Sequence, residues 1–95
     1  MLILKKILLV SLFLHTLAQD IEIKYNQRRG YYTIFSSSKI QRVEFTGRDY
    51  SSKRFKLKVD VNALKYKIPN EYLRLGEKVR LTIITQKEVF FQDFE

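Results

Sequence analysis

The chain is expected to form one small all-β antiparallel domain behind an N-terminal export signal. Three observations predict this: side chains alternate with a period of two in several stretches beyond residue 20, turn-forming clusters separate those stretches, and a continuous apolar run occurs only at the extreme N-terminus. Strands expose alternate faces, so period two is the mark of a sheet with one buried side.

The N-terminus comes first in the chain and is different in kind. Lys5 and Lys6 precede the run from Ile7 to Leu14, and Ala18 supplies the small residue at which a signal peptidase cuts. The lysines hold the terminus on the cytoplasmic side while the apolar run enters the bilayer. That run of about eight residues falls well short of the roughly twenty a spanning helix needs. Residues 1–18 are therefore read as a cleaved signal peptide and 19–95 as a single β domain, secreted or periplasmic, without a stable membrane anchor. The chain contains no cysteine, so it is not a lipoprotein and has no disulfides. A cysteine-free exported chain fits a bacterial envelope better than an animal extracellular space.

Ile21, Ile23 and Tyr25 alternate with Glu22, Lys24 and Asn26, giving a first strand. Residues 26–30 (Asn-Gln-Arg-Arg-Gly) read as a hairpin loop in which Gly30 takes a positive φ. Tyr31 to Phe35, rich in aromatic and β-branched residues, returns as a second strand, and Ser36-Ser37-Ser38 is expected to turn the chain again. Ile40 to Thr46 forms a third strand, broken from Gly47 to Ser52. Next, Phe55, Leu57, Val59 and Val61 oppose Lys56, Lys58, Asp60 and Asn62. A slip of one residue there would bury two lysines and an aspartate, which fixes the inward face.

From Asn62 to Gly76 the apolar spacing is irregular around Pro69, which predicts a crossing connection with a helical turn at Glu71 to Leu75, capped by Asn70 and stopped by Gly76. Val79, Leu81 and Ile83 mark a further strand, and Val89 to Phe94 closes the sheet. This spacing suggests a small antiparallel β-sandwich of the immunoglobulin-like type. The alternative is a partly open five-stranded barrel, whose usual helix lies one strand earlier than the helical candidate here.

Composition excludes more than it assigns. The sole histidine, His15, lies in the signal, so the mature chain offers neither His nor Cys for a nucleophilic triad or a zinc site, and no cofactor is expected. Ser51, Ser52 and Lys53 are adjacent on a turn where side chains face water, which does not make a serine-lysine nucleophile. Asp60 with Glu71 or Glu77 has no feature marking a carboxylate pair, and the three glycines are isolated, so no phosphate-cradling loop is present. The expectation is a non-catalytic interaction module, of adaptor or inhibitor type, that binds another envelope or extracellular protein.

Two features suggest how it would bind. Of the 18 basic residues, 16 remain after Lys5 and Lys6 leave, against 10 acidic ones, a net charge of +6. Arg28, Arg29, Tyr31 and Tyr32 gather at one loop edge, and Arg48, Tyr50, Lys53 and Arg54 at another. Cations beside aromatic faces suit an anionic polymer or surface, such as a polysaccharide, lipopolysaccharide or nucleic acid. The same residues equally suit cross-strand packing and a solvated sheet face. At the C-terminus, Val89, Phe90, Phe91 and Phe94 would dock a partner if their strand were a free edge, or pack inside the domain if it were not.

Overall fold

The computed structural model describes residues 20–95, so the signal peptide expected at 1–18 lies outside the described residues. Five antiparallel strands make a single sheet: β1 (Ile21–Asn26), β2 (Tyr31–Arg48), β3 (Arg54–Lys67), β4 (Val79–Thr85) and β5 (Val89–Phe94). One short 3-10 turn, Asn70–Arg74, joins β3 to β4. Among the described residues no helix is long and apolar enough to cross a membrane.

The β1–β2 hairpin forms where the glycine and asparagine place it. Gly30 has φ 74° and its N–H donates to the Asn26 carbonyl at 2.7 Å, while Asn26 Oδ1 accepts from the Arg29 N–H at 2.9 Å. The serine triplet behaves otherwise. Instead of reversing the chain, Ser36 to Ser38 run inside β2, which continues for 18 residues and absorbs both the second and third expected strands. Ser36 Oγ donates to the Ser38 carbonyl and accepts from the Ser38 N–H, and the Ser37 N–H donates to the Asp20 carbonyl. Small hydroxyl side chains thus satisfy backbone groups while the register shifts between Phe35 and Ile40. The result is a bent strand.

β3 shows a related departure. Asn62 takes φ 52°, and the strand, expected to end there, resumes pairing with the first part of β2 through Phe35↔Lys65, Ile34↔Tyr66 and Thr33↔Lys67. Asparagine tolerates the left-handed region, so it re-aims the strand without ending it. The expected helical turn is a 3-10 turn, and Asn70 does not cap it. Its Nδ2 donates instead to the Gly30 carbonyl at 2.9 Å, tying the turn to the first hairpin.

Because β2 is bent, it serves two groups of strands. β3 lies along one edge throughout, whereas the other edge pairs with β1 over residues 31–36 and with β4 over residues 40–47. β5 pairs with β4 beyond that, with Phe94 opposite Val79. The bend brings the start of β2 back toward the end of β5, where the Tyr32 and Phe94 rings meet edge to face at 5.0 Å. At the opposite end of β5, Lys87 Nζ in the turn that precedes it lies 4.0 Å from a carboxylate oxygen of Asp20, the residue before β1. The sheet is therefore a half-barrel. The described strands form no second, separate sheet, so the immunoglobulin-like sandwich expected from strand spacing is not what they build. Spacing counts strands but does not reveal that one of them is shared.

Ile34, Ile40, Val43, Phe45, Ile68, Leu81 and Ile83 are wholly buried inside the curl, and Tyr72 of the 3-10 turn lies edge-on to Phe45 at 5.2 Å. Burying each such side chain contributes about 1.5–3 kcal/mol, the main favourable term open to a domain without thiols.

Candidate functional site

The described residues frame one sizeable cleft, of about 850 Å³, at the end of the β2–β3 hairpin. The hairpin loop is rigidly built. Asp49 Oδ1 accepts from the Ser51 N–H at 2.8 Å and the Lys53 N–H at 2.9 Å, the Asp49 N–H donates to the Lys53 carbonyl, and Ser52 takes φ 65°. Arg48 Nη1 donates to the Ser52 carbonyl at 3.0 Å, which fixes part of its guanidinium. An aspartate suits this loop because its short carboxylate reaches backbone donors two and four residues ahead.

The opposite wall comes from the segment leading into β4. Gly76 sits so close to the Arg48 carbonyl that a Cβ would collide with it, and a Cβ on Gly47 would come 2.5 Å from the Lys78 carbonyl. These two glycines let the connection pass against the hairpin base, and Glu77 and Lys78 consequently line the cleft. Four cationic side chains, Arg48, Arg54, Lys56 and Lys78, surround it with the rings of Tyr50 and Phe55. Its carboxylates are Asp49, one oxygen of which already holds two backbone donors, and the exposed Glu77. Lys56 Nζ lies 3.8 Å from Glu44 Oε1, while Glu44 Oε2 accepts from Arg42 Nε at 3.0 Å. The local field is positive.

Three of the four residues expected at this loop, Arg48, Tyr50 and Arg54, thus come together, and Tyr50 is 69% exposed. Lys53 does not line the cleft; its backbone closes the turn and its side chain faces solvent. Sequence reading missed Phe55, Lys56, Glu77 and Lys78. Lys56 carried a usable signal, being the next outward position after Arg54 on an alternating strand. Lys78 carried none, because only tertiary packing brings it to the hairpin.

The other expected cluster separates. Arg28 and Arg29 are exposed on the first hairpin loop. Tyr32 is a packing residue, its ring 4.8 Å from Tyr25 and 5.0 Å from Phe94, and Tyr31 lies beneath Lys67 Nζ at 4.3 Å. A smaller hollow of about 280 Å³ nearby is lined by Tyr25, Tyr32, Leu73, Arg74 and Phe94 among others, without Arg28, Arg29 or Tyr31.

The C-terminal segment divides by parity. Phe90 and Phe94 pack against the core, whereas Phe91 and Val89 face out at 57% and 53% exposure. Arg80 lies over the Phe91 ring at 5.5 Å and grips Asp93 with two bonds of 2.8 and 3.2 Å. That fork pulls the Asp93 carboxyl below its ordinary value and raises Arg80. On β3, burial, reinforced by Tyr72, pushes the Tyr66 phenol above its ordinary 10.0.

Among the described residues no group of three His, Cys, Asp or Glu side chains could hold a metal ion. Compared with known protein families and curated proteins, the sequence matches none. Function is accordingly read from the geometry of these residues alone.

Proposed function

We propose that the chain is a non-catalytic binding module, exported through residues 1–18 to the periplasm or the extracellular medium, whose β2–β3 cleft takes an anionic group on a polymer or surface. One observation carries this reading: Arg48, Arg54, Lys56 and Lys78 come from two separated parts of the chain to line one open cleft, together with Tyr50 and Phe55. Guanidinium and ammonium groups bind carboxylate, phosphate or sulfate, while Tyr50 offers a face on which a sugar or base stacks. No catalytic step is part of this reading: the chain after residue 18 has neither histidine nor cysteine for a nucleophilic pair, and Asp49 Oδ1 in the cleft is held by two backbone donors. The test is retention on heparin across a salt series, with Arg54→Ala/Lys78→Ala beside the wild type. Charge-driven binding weakens as salt rises, and the double variant should elute at clearly lower salt. Equal elution of the two proteins would refute the site.

A second reading is favoured by a separate observation, the outward pair Val89 and Phe91 on β5, whose outer edge is unpaired among the described residues. Here the ligand is another envelope or extracellular protein that adds a strand. Under this reading Phe91→Lys abolishes partner capture in a pull-down from the envelope or medium, and Arg54→Ala/Lys78→Ala leaves it intact.

A further inference from the structure

β3 is the longest free edge of the sheet. It pairs with β2 alone among the described residues, and its inward row, Phe55, Leu57, Val59 and Val61, is only half-buried where equivalent residues of β2 and β4 are sealed. The alternate, outward row Arg54, Lys56, Lys58 and Asp60 is exposed. Lysines on an edge ordinarily discourage pairing with another sheet. Whether they do so here depends on register.

We propose that two copies of this chain pair their β3 edges antiparallel about a two-fold axis at Val59. Directly opposed residues in an antiparallel pair share a face, so an isologous contact must centre on a residue. Centring on Leu57 sets Lys56 against Lys58 twice, centring on Lys58 sets that lysine against its own copy, and centring on Asp60 opposes two aspartates. Centring on Val61 opposes no like charges but forms no opposite-charge pair, sets Leu57 against Lys65 and runs the centre into Asn62 with its positive φ. Centring on Val59 opposes no like charges and is the register that pairs opposite ones. It places Lys58 of each copy against Asp60 of the other and Lys56 against Asn62. On the inner side Leu57 meets Val61, and Val59 meets Val59, so the half-exposed row becomes a continuous apolar seam between two half-barrels. Asn62, with its positive φ, then limits the flat part of the seam, and because the isologous contact consumes both β3 edges, no third chain can add there. This inference does not depend on the anion cleft or on the β5 edge.

Sedimentation equilibrium of protein purified from cells expressing the full chain tests it. The wild type should be a concentration-dependent dimer. Lys58→Asp, which turns two attractive oppositions into two repulsive ones, should weaken association by about tenfold or more. The swap Lys58→Asp/Asp60→Lys should restore it. Both positions are exposed, and an unchanged β-type circular dichroism spectrum checks that the variants fold. Independently of any variant, outward-facing β3 amides of the wild type should exchange more slowly at high protein concentration than at low. A wild type that stays monomeric, a dimer indifferent to Lys58→Asp, or a swap that fails to restore association would each overturn the proposal.

Discussion

The two hairpin ends of this molecule have nearly the same ingredients and opposite uses. Arg28, Arg29, Tyr31 and Tyr32 flank the first, and Arg48, Tyr50, Lys53 and Arg54 the second. At the first, the tyrosines are consumed by packing: Tyr32 locks the bent start of β2 to β5, and Tyr31 lies under Lys67. At the second, the loop closes on its own aspartate, and the approach of Gly76 to the Arg48 carbonyl opens a wall opposite the hairpin instead of filling it. A cationic and aromatic cluster becomes a site only where the fold leaves its rings and charges uncommitted.

The sharpest way to break that comparison is to remove one tyrosine from each end. Tyr32→Ala should destabilise by about 2–3 kcal/mol in urea unfolding, toward the low end of the range for core aromatics because the ring is half-buried. Tyr50→Ala should change stability by less than about 0.5 kcal/mol while weakening heparin retention. Equal losses of stability would erase the distinction.

Gly76→Ala sharpens the comparison from the other side. Its new methyl group must push the connection away from the Arg48 carbonyl, an overpacking that costs about 1–3 kcal/mol. The same displacement moves Lys78 off the cleft, so heparin retention should fall together with the unfolding midpoint. Retention that survives would show that the connection does not build the site.

The smallest effects concern pH. Tyr66 lies beside Ile34, near the first hairpin, and its phenol is raised in the folded protein. The raised value means that its contribution is complete below the unfolded pKa, near 10, and is lost as pH climbs through the folded value. Stability should therefore decline slightly in strong alkali, less so in Tyr66→Phe. Asp93 is lowered by Arg80, so its contribution is present above the ordinary carboxylate pKa and fades as pH falls through the depressed folded value. Both members of the pair are exposed, and the acid effect should be barely measurable by thermal unfolding.

Much of this fold is legible in the residues themselves. β1, β4 and β5, the first hairpin turn and the inward face of β3 follow from alternation and from the turn chemistry of Asn26 to Gly30. The bent stretch of β2 is not legible, because Ser36 to Ser38 have the composition of a turn, and only the contact between Ser37 and Asp20 shows that the chain continues. Asn70 misleads for a like reason: a capping residue by type, it is drawn to the Gly30 carbonyl of a distant hairpin. Half of the cleft was visible in Arg48, Tyr50 and Arg54, since neighbours on a hairpin stay neighbours in space. Lys78 was invisible, as its position depends on how close two glycines allow two segments to come.

The sequence by itself determined the all-β antiparallel character and which side chains face inward, because a two-residue period assigns faces without reference to any partner strand. Tertiary structure alone decided that β2 bends and is shared, that the sheet curls into a half-barrel, and which of two similar clusters remains open. Those outcomes depend on contacts between residues far apart in the chain, such as Tyr32 with Phe94 and Gly76 with Arg48, and no local pattern encodes a distance between segments.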